Sequence, residues 1–163
     1  MRTFGPTLLI LAMLAIPAAA AEIRGAVGVV DGRTLLVAGQ TVRLHGIDAP
    51  DLAQTCDWGG RRVPCGTLAK TALMDLTAGV AEVVCRQRGE GENGAVVAVC
   101  SAEGFDLGGN MVHTGWALAG PGAPSRYREI EAKARAAERG LWRGRFVAPA
   151  EWRRGRRLSR DGG

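Results

Sequence analysis

Three short segments rich in β-branched residues, separated by tight turns, follow the apolar amino terminus of the chain. They are Ile23 to Val30, Thr34 to Val37 and Thr41 to Ile47, and the turns fall at Asp31-Gly32 and Ala38-Gly39. β-branched side chains suit a pleated, half-buried surface, and Gly and Asp tolerate the backbone angles of tight turns. The pattern therefore predicts a three-stranded meander.

The rest of the chain alternates between helical and strand patterns. Thr67 and Ser125 are suited to cap the amino ends of helices. Gly79 and Gly140 are placed to end them. The predicted elements are a helix from Thr67 to Ala78, strands from Val80 to Cys85 and from Ala95 to Cys100 joined by a Gly-rich stretch, a short helix from Leu107 to His113, and a last helix from Ser125 to Gly140.

The order of these elements is three strands, a helix, two strands and closing helices. It is the element order of a five-stranded OB-type barrel with about three helices, an α+β fold that is mainly β. A chain of 163 residues rarely supports two separate cores, so one domain is expected. We assign residues 1–21 to a signal peptide, 22–146 to the barrel domain and 147–163 to a basic tail.

The assigned signal peptide has the three parts of a secretory signal. Arg2 supplies the positive start, Thr7 to Ile16 is apolar, and Pro17 to Ala21 offers small residues for cleavage after Ala20 or Ala21. The alternative is an uncleaved anchor, but the apolar stretch is shorter than the roughly 20 residues that span a bilayer. No other segment is apolar enough to span one. We therefore expect a periplasmic or secreted protein.

Four cysteines lie beyond this segment, at Cys56, Cys65, Cys85 and Cys100. An even number in a small exported chain favours two disulfides, for which three pairings exist. The spacing contains no C-x-x-C pair, which weakens a zinc-site or redox interpretation. We favour a bridge from Cys56 to Cys65 across the polar loop 51–64, and a bridge from Cys85 to Cys100 across the predicted hairpin.

Arginines are concentrated near the carboxyl terminus. The formal charge of +5 falls to about +4 once Arg2 is removed, and Arg153, Arg154, Arg156 and Arg157 stand within one short run. Such a run is suited to hold phosphates or anionic lipid. The alternative is a solvated, frayed tail.

Four blocks of sequence resemble the thermonuclease family, whose members are similar to staphylococcal nuclease. They are Val29 to Leu35, Val42 to Asp51, Met111 to Ala117 and Tyr127 to Trp142. The block Arg-Leu-His-Gly-Ile-Asp-Ala-Pro within the second is the most specific. The resemblance spans nearly the whole mature chain, and it implies an OB-fold phosphodiesterase that uses one Ca2+ ion to cut DNA and RNA.

The resemblance assigns three site roles to this chain. Asp48 matches a metal-binding aspartate, with the Ala49 carbonyl as a neighbouring backbone ligand. Arg43 matches the arginine that holds the scissile phosphate. Asp51 stands where the family usually has a glutamate that positions or activates the attacking water, so the carboxylate is one methylene shorter.

Two positions depart from the family pattern. Arg33 replaces a second metal-binding aspartate, and Ala95 replaces the second phosphate-binding arginine. We predict that Arg33 points into the metal pocket, within salt-bridge reach of Asp48. Arg86 or Arg88 on the preceding strand are the candidates to compensate for Ala95.

The histidines and tryptophans are given structural roles. His45 and His113 have no partner at ligand spacing. Trp116, Trp142 and Trp152 are predicted to anchor the core and the tail, because isolated aromatics without an interleaved basic strand make a poor stacking platform.

Three functions fit these residues. The first is a catalytically impaired homologue that binds single-stranded DNA, RNA or another polyanion without cutting it. The second is an active Ca2+-dependent nuclease with a rearranged site. The third is an envelope interaction module whose basic tail docks on anionic lipid or a partner. Ca2+ is the expected cofactor of an active enzyme, no cofactor is expected otherwise, and the chain is expected to be a monomer.

Overall fold

The computed structural model describes residues 21–159. Met1 to Ala20, which form nearly all of the predicted signal peptide, and Arg160 to Gly163 lie outside the described residues. The strands are β1 (Glu22–Gly25), β2 (Val27–Asp31), β3 (Thr34–Val37), β4 (Gln40–Leu44), β5 (Ile47–Asp48), β6 (Cys56–Trp58), β7 (Arg61–Val63), β8 (Val83–Glu90), β9 (Val96–Ala102), β10 (Phe105–Asp106) and β11 (Leu118–Ala119). The helices are α1 (Cys65–Thr77), α2 (Leu107–His113), α3 (Ser125–Ala136) and α4 (Pro149–Arg153), with 3-10 turns at Glu92–Gly94 and Gly140–Arg143.

The main sheet confirms the predicted class, mainly β with helices packed on it. Its strands lie in the order β1-β8-β9-β4-β3-β2, and β10 pairs with β9. The β4 and β9 strands are parallel, and the other neighbours are antiparallel. The path begins at β1 and ends at β2, so the sheet is not closed into a barrel by continuous pairing. These two strands are separated only by Ala26, so one interrupted segment forms both ends of the path.

The predicted meander is present as β2, β3 and β4. The third predicted segment ends early, at Leu44, because the chain turns at Gly46, whose φ of 75° favours glycine. Beyond the turn, β5 leaves the main sheet and pairs with β11. This change of direction carries Asp48 to the edge of the sheet.

One core joins the sheet to α1, α2 and α3, and its largest fully buried side chains include Leu35, Leu73 and Tyr127. α1 begins at Cys65 with no side-chain cap, so the prediction that Thr67 caps it is wrong. α2 has the predicted bounds, because the Asp106 side chain accepts a hydrogen bond from the Gly109 N–H at 3.2 Å and stabilises a glycine-rich first turn.

The last predicted helix is shorter than expected. Ser125 is the first residue of α3 rather than its cap, and the helix ends at Ala136, four residues before Gly140. Glu138 adopts a left-handed φ of 49°, which breaks the helix ahead of the glycine. Gly140 then begins a 3-10 turn instead of ending a helix.

Both favoured disulfides are confirmed. Cys85 and Cys100 lie opposite each other in the β8 and β9 pair, with their Cα atoms 4.0 Å apart. Cys56 and Cys65 join the start of β6 to the start of α1. The region 51–64 is more than the predicted loop, because β6 and β7 form a two-stranded hairpin within it.

The segment 140–159 is folded onto this hairpin. Asp57 and Arg145 exchange two backbone hydrogen bonds, each 2.8 Å long. Gln54 is fully buried and donates from Nε2 to the Val147 carbonyl at 2.7 Å. Leu141 packs with Cys56 and Cys65 in a second, smaller core. None of the described helices is long and apolar enough to cross a membrane.

Candidate functional site, a carboxylate pair held by two arginines

Two carboxylates stand where the main sheet gives way to the hairpin region. Asp48 is the last residue of β5, and Asp51 follows it by three residues. The Asp48 side chain is 14% exposed and the Asp51 side chain 33%. A pair of partly buried carboxylates requires positive partners, because desolvation disfavours their charged forms.

Arg33 is the first of these partners. Asp31 accepts a hydrogen bond from the Arg33 N–H at 2.9 Å, which closes the turn between β2 and β3. Gly32 lies against α1, where an added Cβ would come within 2.9 Å of the Ala69 Cβ. This close approach brings the Arg33 guanidinium over the carboxylates, with Nη1 3.0 Å from Asp48 Oδ1. The ion pair predicted from the sequence is therefore present.

Arg153, at the end of α4, is the second partner. Its Nη2 donates to Asp48 Oδ1 at 2.8 Å and to Oδ2 at 2.7 Å. Its Nη1 donates to Asp51 Oδ1 at 3.1 Å. Arg33 also reaches Asp51, with its Nη2 3.5 Å from Oδ1. One arginine from each end of the domain thus contacts both carboxylates, and we call these four residues the carboxylate–arginine cluster.

The backbone around Asp51 is held in place by the start of α1 and by Gln54. An added Cβ at Gly66 would lie 1.9 Å from the Asp51 carbonyl oxygen, so only glycine allows α1 to start at this distance. The same carbonyl accepts a hydrogen bond from the Gln54 N–H at 2.8 Å. Because Gln54 also binds the Val147 carbonyl, the loop that carries Asp51 and the segment that carries Arg153 are held together.

The charges of the cluster balance. Two aspartates face two arginines, so the formal sum is zero. Desolvation lowers the pKa of Arg153, but its hydrogen bonds and ion pairs with Asp48 and Asp51 outweigh this effect and leave that pKa raised. Arg153 therefore stays charged in its place over the carboxylates.

Arg43 lies on β4 opposite Thr34, next to the turn that supplies Arg33. Its Nε is buried and has no hydrogen-bond partner among residues 21–159, and no carboxylate in that range forms an ion pair with it. An arginine with an unsatisfied donor retains the capacity to bind an anion. The phosphate-holding role that the resemblance implies for Arg43 stays a prediction.

Ala95 adds no charge to this region. It follows the turn Glu92–Gly94 and is only 6% exposed. Arg86, considered as a substitute, is 69% exposed and pairs with Glu22, with its Nε 3.3 Å from Oε2. Arg88 is also exposed, on the same strand. Neither Arg86 nor Arg88 enters the cluster, whereas Arg153, which sequence reasoning placed in the tail, does.

The cluster does not fit a calcium ion. Ca2+ takes six to eight oxygen ligands, and cations repel it. Both carboxylates are already engaged by guanidinium groups, and residues 21–159 hold no group of three or more His, Cys, Asp or Glu side chains placed to bind a metal. With this arrangement of side chains, Arg33 and Arg153 stand where a bound cation would have to be.

The two histidines have structural contacts, as predicted. The His45 Nε2 lies 3.1 Å from the Gly122 carbonyl oxygen. His113 lies beside Arg139, whose Nη1 donates to the His113 carbonyl at 3.2 Å. Neither ring contacts the cluster. The tryptophans also anchor the fold: Trp116 packs against Trp58 with 6.2 Å between ring centroids, and Trp142 packs edge-on against Phe146 at 5.1 Å.

Comparison with known proteins places the chain in a family. The protein family described as "Staphylococcal nuclease homologue" matches residues 41–144, which is well over half of the chain. The chain is also 30% identical over 145 residues to the succinoglycan biosynthesis protein ExoI of Rhizobium meliloti (strain 1021), covering 87% of this chain and 76% of that protein. These matches agree with the strand order and with the block around Asp48, and the chain belongs to the family of staphylococcal nuclease homologues.

Proposed function

We propose that this chain is an exported staphylococcal nuclease homologue that binds a polyanion, with single-stranded nucleic acid as the leading candidate, and does not hydrolyse it. The observation that carries the proposal is the pairing of both Asp48 and Asp51 with Arg33 and Arg153. In this arrangement the carboxylates hold guanidinium groups rather than a metal.

Loss of hydrolysis follows from two separate deficits. The first is the neutral cluster, which offers a divalent cation no net negative charge and few open oxygens. The second is Ala95, which leaves the phosphate clamp with Arg43 alone. Removing one preorganised group that stabilises transition-state charge costs about 100-fold or more in rate. With both deficits in one site, we expect the rate of phosphodiester hydrolysis to be too low to detect in a digestion assay.

Anion binding is supported by the charge that remains. Arg43 has no carboxylate partner among residues 21–159, and the formal net charge of +5 is still about +4 once Arg2 is removed with the signal peptide. Arginine forks bind phosphate and carboxylate groups through paired hydrogen bonds. Because one relative is named for succinoglycan biosynthesis, a polysaccharide that carries acidic groups joins the candidate polyanions. Anionic lipid, which would suit an envelope module, is the remaining candidate for the basic surface.

Export is supported by two kinds of observation. The two disulfides are compatible with a periplasmic or extracellular location, where such bonds persist. The amino-terminal sequence has the three parts of a signal peptide, with small residues before Glu22. The polyanion would then be encountered beyond the inner membrane.

The test is digestion of labelled single-stranded DNA by oxidised protein spanning residues 22–163, with Ca2+ or with a chelator. The variants are Arg33→Asp, Arg33→Asp with Ala95→Arg, and these two changes with Arg153→Ala. We expect no cleavage by the wild type. We expect Ca2+-dependent cleavage to emerge only when both guanidiniums are removed from the cluster and the second phosphate-binding arginine is restored.

A matched control replaces Arg153→Ala with Arg154→Ala in the triple variant. Arg154 is the residue next to Arg153, and its side chain pairs with Glu151 rather than with the cluster. It removes the same charge and is expected to give no gain. Chelator-sensitive cleavage by the wild type that disappears in both Arg43→Ala and Asp48→Asn would overturn the proposal and show an active enzyme with a rearranged site.

A further inference from the structure

A groove lies between the β6–β7 hairpin and the segment that ends at Ser159. Its lining includes Thr55, Asp57, Arg62, Arg145, Trp152 and Arg157. It does not include Asp48, Asp51, Arg33 or Arg43. The groove is therefore a separate feature from the carboxylate–arginine cluster.

The walls of the groove are fixed to each other. Asp57 and Arg145 exchange backbone hydrogen bonds of 2.8 Å in both directions. Gly144 approaches so closely that an added Cβ would lie 2.2 Å from the Asp57 carbonyl oxygen. The disulfide at Cys56 ties the same hairpin to α1. A groove whose walls are joined by backbone hydrogen bonds needs little reorganisation to bind a ligand.

Arg157 is held in one position above the groove. Its guanidinium carbon lies 3.6 Å from the centroid of the Trp152 ring. Its Nη1 donates to the carbonyl oxygens of Trp152 at 2.8 Å and of Arg156 at 2.7 Å. No described residue accepts a hydrogen bond from its Nε or Nη2. The Arg157 guanidinium is thus held over the Trp152 ring, while its Nε and Nη2 remain free to bind an anion.

The groove carries an excess of positive charge. Arg62 and Arg157 are exposed, and across the described residues no carboxylate lies within ion-pair distance of either. Arg145 shares the charge of Asp57, with its Nη2 3.3 Å from Oδ2. Three arginines and one aspartate leave a formal sum of +2. Arginines without carboxylate partners on a fixed surface attract a polyanion.

We infer that this groove binds single-stranded nucleic acid, with the arginines contacting the phosphodiester backbone and the Arg157 plane stacking on a base. The inference rests on the proposed polyanion binding and gives it a location outside the family site. Arg157 is supported on one face by Trp152, and its exposed side presents a flat cation suited to a base.

The stack of Arg157 on Trp152 distinguishes a nucleic acid from an anionic polysaccharide. In both polymers, phosphate or carboxylate oxygens can accept hydrogen bonds from the N–H groups at the edge of the guanidinium. Only the nucleic acid has planar bases to stack on the guanidinium faces, and such stacking contributes in addition to charge. The position of Arg157 on the Trp152 ring therefore favours nucleic acid.

The test measures binding of a labelled single-stranded oligothymidylate and, separately, of polygalacturonate, by oxidised protein with chelator present. The groove variant is Arg62→Ala with Arg157→Ala. The matched control is Arg128→Ala with Lys133→Ala, which removes two exposed cations that lie outside the groove. Arg157→Lys keeps the charge and removes the planar stack.

We expect oligothymidylate binding to weaken by about tenfold or more in the groove variant, with a smaller salt dependence, and by less than about threefold in the control. Arg157→Lys should weaken oligothymidylate binding by a larger factor than polygalacturonate binding, because both polymers lose the paired hydrogen bonds of the guanidinium but only the nucleic acid also loses the base stack. The exposed single variant Arg62→Ala, whose melting temperature should match the wild type, guards against a folding defect in the double variant.

Other results overturn the inference in distinguishable ways. Equal losses in the groove variant and the control would mean that the polyanion binds through overall charge, which leaves the proposed function standing. A loss for polygalacturonate alone would assign the groove to a polysaccharide. A wild type that binds neither polymer would remove both the inference and the proposed polyanion binding.

Discussion

Arg153 binds both oxygens of Asp48 through a single nitrogen, at 2.8 and 2.7 Å, although 105 residues separate them in sequence. The contact joins the last helix of the described chain to the strand that carries the family motif. Arg33 provides the other guanidinium from the first turn of the meander. The formal charge of the site is therefore zero only because arginines from both ends of the domain reach the two aspartates, and the motif alone does not make it neutral.

Removal of Arg153 should destabilise the fold as well as open the site. In Arg153→Ala, Asp48 keeps Arg33 but loses two hydrogen bonds, and Asp51 loses one. We expect the free energy of unfolding to fall by about 1 kcal/mol, because the cluster is partly exposed and screened. Denaturant unfolding at low and high salt measures this, and the loss should shrink at high salt.

The control for this change is Arg154→Ala, at the residue that directly follows α4. Its side chain is 74% exposed and pairs only with Glu151 among the described residues, so its loss should alter the unfolding free energy by less than about 0.5 kcal/mol. Equal effects of the two substitutions would show that the contacts of Arg153 with Asp48 and Asp51 add nothing to stability.

The sequence predicted the parts of the site that depend on short, ordered segments. Arg33 and Asp48 both lie in strand-turn blocks of the resemblance, so their pairing followed from the family pattern. Arg153 did not, because it is one of several arginines in a basic run and nothing local marks it as the one that folds back. The β6–β7 hairpin was missed for a similar reason: its strands have three residues each, too short for an alternating pattern to register.

Helix starts show the same division between local and tertiary signals. α2 has the predicted bounds, and Leu107, Met111 and Val112 form its buried face. The start of α1 was placed too late, since Thr67 is a good local cap but the actual start is set by the buried Cys65 and Gly66. Tertiary contacts that lack a local pattern decide such cases.

The two disulfides should have different local effects. By loop-closure entropy, each bridge contributes about 3 kcal/mol to stability. In Cys56→Ala with Cys65→Ala, amide hydrogen exchange should quicken in the hairpin and in 140–153, because the bridge packs with Leu141 beside the Asp57 and Arg145 pair. In Cys85→Ala with Cys100→Ala, it should quicken in β8 and β9. Identical exchange patterns in the two variants would contradict this division.

Tyr127 should resist ionisation while the protein is folded. It is the single tyrosine of the chain, its side chain is buried, and its hydroxyl donates to Asp106 at 2.7 to 2.8 Å. Burial and then this hydrogen bond raise the pKa of Tyr127 far above its usual range. The stabilisation that comes from the neutral hydroxyl is complete below about pH 10, the unfolded pKa, and is lost as pH rises toward the folded pKa.

Ultraviolet absorbance of tyrosinate measures this directly. The signal should stay absent through pH 10 and rise only with alkaline unfolding, which circular dichroism follows in the same samples. In Asp106→Asn the ionisation should move down toward pH 10, since the charged acceptor is gone. A wild type that titrates near pH 10 while still folded would be inconsistent with the buried hydrogen bond.

Ca2+ binding gives a test of the cluster that does not depend on catalysis. The wild type should show no heat of Ca2+ binding in calorimetry, because Arg33 and Arg153 occupy both carboxylates. Arg33→Asp with Arg153→Ala converts a neutral cluster into one with three carboxylates and no guanidinium, and this variant should bind Ca2+ with millimolar or better affinity. Arg33→Asp with Arg154→Ala has the same net charge but keeps Arg153 over Asp48, so it should bind Ca2+ at least several-fold more weakly. Ca2+ binding by the wild type as tight as by the first variant would mean that the guanidiniums yield to the ion, and that the two ion pairs do not account for the chemistry of this site.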